Sequence, residues 1–263
     1  MISITSAQLD TWIALFIFPL SRILGLLASA PLFNNAALPV RVRLIAGLAV
    51  ALALAPALPP LPAIQASSWI GLVVLAEQVL IGVLLGFTLR IAFAAVDVAG
   101  ELIGLQMGLS FATFFDPGSG GQTPVVSEFL GLLTALVFLA LNGHLLTLTA
   151  LAESFTLLPV STTPIHAAAF ASLMAWSAIL FSTGLLLALP LITALLIANI
   201  ALGVLARIAQ QLNLFAVGFP VTLALGFLVL LLSLPYIGAA MEGLFTQGFQ
   251  ALGAVLRAAG NPL

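Results

Sequence analysis

Apolar residues in this chain come in long blocks broken only by short polar connectors. A helix needs about twenty consecutive apolar residues to cross the hydrocarbon core of a bilayer. Six stretches approach that length, at roughly 11–33, 40–58, 69–93, 127–151, 170–203 and 214–238. Each predicts a membrane helix. Pro56-Ala57-Leu58-Pro59-Pro60-Leu61-Pro62 reads as a stiff, extended connector, because repeated proline favours that backbone. Pro159 to Pro164, with Ser161, Thr162 and Thr163 between, reads as a turn. Pro190 and Pro220 fall inside apolar runs, where proline removes a helix hydrogen bond and should kink or split the helix. The fifth run is long enough for two short helices hinged near Pro190.

The stretch from Gly100 to Gln122 departs from this pattern and is too polar and broken to read as a clean seventh span. Gly100, Gly104 and Gly108 recur every fourth residue and form one smooth stripe on a helix. Small residues at that spacing let a second helix approach closely in lipid. Met107, Phe111, Phe114 and Phe115 then share a broad, bulky face. Asp116-Pro117-Gly118 should end the helix and supply a hinge, since proline and glycine break helices and aspartate caps turns. Two readings stay open: a packed helix end, or a constriction that can move aside. Together with Gly82 and Gly86, the glycine stripe predicts surface covered by protein partners more than by lipid.

Composition fixes the class. The chain has 263 residues, 63% hydrophobic and only 5% charged, and its mean hydropathy is +1.31. Soluble domains carry about a quarter charged residues, so this is an all-α membrane protein, expected to form a single embedded domain over 1–263. A formal net charge of -2 leaves no basic patch for nucleic acid. The absence of cysteine excludes disulfides and thiolate metal sites. His144 and His166 lie far apart and predict no metal site; no cofactor is expected. The N-terminal run has no basic flank, so it reads as a retained helix and not a cleaved signal.

Arginine gives an orientation. Arg41, Arg43, Arg90 and Arg207 fall at the ends of alternate spans, while the connectors near 59–68 and 152–169 carry no arginine or lysine. By the positive-inside rule those arginine-bearing ends face the cytoplasm and the N-terminus faces outward, with Arg257 dissenting.

Charges inside apolar runs are costly and therefore candidates for function. Arg22, Glu77, Arg90, Asp97, Glu101 and Glu128 all qualify. Asp97 and Glu101 are four apart, and Arg90 stands two turns before Asp97 on nearly the same face. That set reads either as a polar seam toward partner subunits or as a coupling-ion site in a secondary transporter. No nucleophile elbow, phosphate loop or histidine–glutamate metal motif supports an enzyme.

Three segments, in order, carry a resemblance: LPVRVRLIAGLAVALALAP, AGELIGLQMGLSFATFFDPGSGGQTPVVSEFL and RIAQQLNLFAVGFPVTLALGF. Together they resemble the FliR family, the single-copy membrane component of the flagellar type III export gate; the related injectisome gate proteins share the architecture. Gln210, where proline is usual, and Leu145, where a second histidine is common, depart from the pattern. The resemblance implies helical hairpins, with a FliP-like unit joined to a FliQ-like unit, assembled with several FliP and FliQ copies around a channel for unfolded flagellar proteins. It also implies that hairpins are partly buried against sister subunits and need not cross lipid. Met107, Phe111, Phe114 and Phe115 would form a plug-like loop, hinged at Asp116, Pro117 and Gly118. The turn holding Arg207, Gln211 and Asn213 would dock FlhB at the cytoplasmic end.

Overall fold

The structure is a computed structural model that describes residues 6–35, 38–59, 64–109, 124–209 and 214–260. Among these the chain is helical: α1 (Ser6–Ser29), α2 (Val40–Leu54), α3 (Trp69–Gln106), α4 (Val125–Ala140), α5 (Gly143–Leu157), α6 (Ala168–Ile208) and α7 (Leu214–Gly260). Four helical segments are long and apolar enough to cross a membrane: Val40–Ala57, Trp69–Gln106, Ala168–Ile208 and Val217–Gly260.

The elements differ from the pattern in three ways. First, the expected third span does not stop near 93; α3 runs 38 residues and absorbs the first part of the glycine stretch. Glycine costs a helix only about 1 kcal/mol each, and apolar surroundings give freed backbone groups no water to bond. Second, the expected fourth span breaks after Leu141. Asn142 takes a left-handed conformation (φ 56°) and separates α4 from α5, which asparagine tolerates better than most residues. Third, α6 and α7 stay helical through Pro190, Pro220 and Pro235. Splitting the helix would orphan several backbone groups in an apolar setting, whereas keeping it loses one hydrogen bond. The proline connector also begins as a short 3-10 turn at Ala55–Ala57 before extending at Leu58.

The chain divides into two compact units: residues 1–91, 142–177 and 246–263 in the first, and 92–141 and 178–245 in the second. In the first unit Ile23, Leu26 and Leu27 of α1, Ile81, Leu85 and Leu89 of α3, and Leu151 and Phe155 of α5 form one buried cluster, joined by Leu252 and Leu256 of α7. Gly82 and Gly86 make the α1–α3 contact possible. A Cβ on Gly82 would strike the backbone of Arg22, and one on Gly86 would strike the Ser29 hydroxyl. Their cover is therefore α1 of the same chain. Trp176 of α6 donates its indole N–H to the Thr88 carbonyl at 2.9 Å.

The second unit centres on an aromatic triad. Phe93 of α3, Phe138 of α4 and Phe245 of α7 have ring centroids 5.1 to 5.4 Å apart, with edge or tilted geometry. Such pairs contribute about 0.5–1.5 kcal/mol beyond burial of their area. Thr134 and Met241 pack alongside, with Oγ1 and Sδ 3.8 Å apart.

Candidate functional site

Arg22 is the most buried charge among the described residues, at 0% exposure in the middle of apolar α1. Its guanidinium makes five hydrogen bonds, all within the first unit. Nε donates to Gln78 Oε1 at 2.8 Å, and Nη2 donates to the same oxygen and to the Leu158 carbonyl at 2.8 Å. Nη1 donates to the Ser154 carbonyl at 2.8 Å and to Ser154 Oγ at 3.1 Å. Ser154 Oγ in turn donates to the Leu151 carbonyl. The guanidinium also stands 4.2 Å from the centroid of the Phe155 ring, a distance at which a cation is attracted to the ring face.

The arrangement follows from elementary chemistry. A helix C-terminus leaves carbonyls without partners and carries partial negative charge. Arg22 reaches the end of α5, where it satisfies the Leu158 carbonyl and adds a second donor to the Ser154 carbonyl, which already accepts the Leu158 backbone N–H. Gln78 ties it to α3. A planar fork with five donors suits this place; an ammonium, with three, does not. Arg22 thus joins α1, α3 and α5 through one saturated network. The sequence marks Arg22 as a charge in an apolar run, but its partners stand 56 and 132 residues away. No spacing rule reaches that far.

The residues singled out from sequence fall in several places. Arg90, Asp97 and Glu101 lie along α3 with exposed side chains. Arg90 does not end a helix; it stands well inside the 38-residue α3. Ser127 Oγ donates to the Asp97 carbonyl at 3.1 Å. Gly100 lies against α4, where an added Cβ would collide with the Ser127 backbone. Gly104 is looser, its nearest neighbour being Val126 at 3.9 Å from such a Cβ. Gly108 lies past the end of α3 with φ 80°, so the stripe leaves the helix there.

Met107 is fully buried and fills the space beside Gly226 of α7, where an added Cβ would come within 2.7 Å of Met107 Cγ. Phe111, Phe114, Phe115, Asp116, Pro117 and Gly118 lie outside the described residues, as do Gln211 and Asn213. Arg207 is exposed in the last turn of α6. No group of three or more His, Asp or Glu able to hold a metal ion occurs among the described residues.

Long apolar helices with exposed Leu, Ile and Phe along α2, α6 and α7 define an all-α membrane protein whose outer faces are covered by lipid or by other subunits. Residues 13–248 match the family of bacterial export proteins, family 1, and the chain belongs to that family, in its FliR branch. It is 46% identical over 256 residues to the flagellar biosynthetic protein FliR of Pectobacterium carotovorum, covering 97% of this chain and 98% of that one. The FliR of Escherichia coli K12 is 42% identical over the same coverage. That of Bacillus subtilis is 30% identical over 70% of this chain and 72% of its own.

Proposed function

We propose that this chain is a subunit of a flagellar protein-export gate, helping to form and close the channel through which unfolded flagellar proteins leave the cell. One observation carries the reading: likeness to flagellar biosynthetic FliR proteins extends over nearly the whole of both chains. In this reading it works by shape and packing, without a catalytic step. It lies in the bacterial inner membrane at the flagellar basal body, beside FliP and FliQ homologues, with a FliP-like part joined to a FliQ-like part. The polar turn from Arg207 to Asn213 meets FlhB, and Arg90, Asp97 and Glu101 form a polar seam toward partner subunits.

The gate itself is assigned to the stretch from Met107 to Gly118. A narrow apolar throat dewets and so blocks ions, and Phe111, Phe114 and Phe115 supply the bulk for it. Asp116, Pro117 and Gly118 supply the hinge. Burial of Met107 beside Gly226 supports a refinement, in which methionine anchors the start of this stretch and the three phenylalanines close the throat.

Expression in a motile bacterium deleted for its own FliR tests the assignment. Restored swimming and flagellin secretion are expected; a stable, membrane-inserted chain that restores neither would overturn it. Within such a complementing strain, changing Phe111, Phe114 and Phe115 together to Ala should leave the complex assembled and the membrane leaky to small ions. Conductance no greater than wild type would return the three rings to ordinary packing.

A further inference from the structure

A cleft on the first unit has no place in the export reading. The α5–α6 connector, around Pro164 and Ile165, lies across α3 with a hollow on each side. On one side is an apolar groove of about 710 Å³, walled by Trp69, Val73 and Leu80 of α3 and Phe170 of α6. On the other is a smaller pocket of about 260 Å³ that includes Gln78, Ser161, Thr163 and His166. Glu77, Pro164 and Ile165 belong to both. The groove is within the volume range of small-ligand sites, roughly 300–1,000 Å³.

Among the described residues, Glu77 is the one acid in either wall, and no cation lines the groove. Arg22 is near enough to act on Glu77 electrostatically, but its N–H groups all go to Gln78, Ser154 and Leu158. The Ile165 backbone lies beside the Glu77 carboxylate in the wall of the cleft. A carboxylate can accept about four hydrogen bonds, so capacity is left facing the cleft. Trp69, at the first turn of α3, is 78% exposed. An indole in that position is typical of the membrane–water boundary, where its ring stands at headgroup level.

We infer that this cleft binds a phospholipid whose headgroup carries a primary ammonium, with an acyl chain in the apolar groove and the ammonium on Glu77. Charge complementarity selects the headgroup: a primary ammonium brings both positive charge and N–H donors. A quaternary ammonium brings charge alone, and an anionic glycerol headgroup is repelled. The hydroxyls of Ser161 and Thr163 and the ring of His166 line the polar pocket, where they can meet phosphate and ester oxygens. Lipid fits better than a partner helix, because Glu77 lines both the apolar groove and the polar pocket and so sets a charge at the junction that an amphiphile's two ends require.

Native mass spectrometry of the full chain in detergent tests the site independently of export, since swimming assays are not read. The probes are phosphatidylethanolamine, phosphatidylcholine and phosphatidylglycerol with identical acyl chains. One retained phosphatidylethanolamine is expected, at about fivefold higher occupancy than either of the others, as for a partly exposed charge pair. Glu77→Gln should reduce that preference to below twofold. Val73→Trp and, separately, Ile70→Trp fill the groove from exposed positions and should displace all three lipids. Phe181→Ala, on a different part of α6, should change nothing. Equal retention of the three lipids by wild type, or a preference that survives Glu77→Gln, overturns the proposal. So does a photoreactive residue at position 70 that, in assembled complexes, captures a partner polypeptide and no lipid; the cleft is then a subunit interface.

Discussion

The two compact units bury different things. The first is tied together by a guanidinium of α1 with five hydrogen bonds to α3 and the end of α5. The second is held by three phenylalanine rings and a methionine, with no charged side chain among its described buried residues. Both are well packed, yet they should fail differently. A buried charge network depends on geometry: removing one partner leaves other buried groups unpaired, at a cost well above the net worth of the bond. Dispersion between rings is non-directional and degrades gradually as volume is lost. Specificity of arrangement therefore resides mainly in the first unit, and tolerance to substitution in the second.

The sharpest way to break this contrast is Arg22→Ala. It strands Gln78 Oε1 and the Leu158 carbonyl, and should cost about 3–5 kcal/mol. The expected outcome is near-complete loss of folded protein in detergent, read by unfolding titration. Conservative changes then separate the units. Arg22→Lys keeps the charge but lacks the fork, and should still cost about 2 kcal/mol or more by leaving acceptors unpaired. Phe138→Leu keeps an apolar filler and should cost less than about 1.5 kcal/mol. If both variants unfold at the same denaturant concentration, the distinction between a geometric and a volumetric core does not hold.

A smaller effect probes a tight backbone contact within the second unit, between Gly100 and Ser127. Gly100→Ala forces α3 away from Ser127 of α4 and should cost about 1–3 kcal/mol, as overpacking does. Gly104→Ala meets only Val126 at van der Waals distance and should be neutral or slightly stabilising, since alanine favours helix by about 1 kcal/mol. Thermal unfolding of the pair, monitored by circular dichroism, distinguishes them. Equal shifts would mean that the stripe acts as a whole and not through Gly100.

Much of this was legible in one dimension. Hydropathy and the scarcity of charge dictate an all-α membrane protein, because an apolar block of that length can satisfy its backbone only as helix. The three quoted segments were enough to point to the family. The long blocks at 40–58, 69–93, 170–203 and 214–238 all became helix. What the pattern misjudged was where helices end. Gly100, Pro190, Pro220 and Pro235 are breakers in water, where solvent takes up freed backbone groups; here the helices run through them, with Gly100 packed on α4 and the three prolines on exposed faces. Asn142, a weaker breaker by composition, is where the chain did turn.

The candidate sites divide along the same line. Sequence alone flagged Arg22 and Glu77 as expensive charges, because the cost of an ion in an apolar run is a local property. Only the tertiary structure decided what each does. It brought Gln78, Ser154 and Leu158 around one guanidinium, and laid the Ile165 connector against Glu77. It set Gly82 and Gly86 against α1 of the same chain. Periodicity says which residues share a face, and it is blind to what covers that face. Cover is a property of distant residues meeting, and in a chain so uniformly apolar, lipid, a sister subunit and the chain's own helices all satisfy the same pattern.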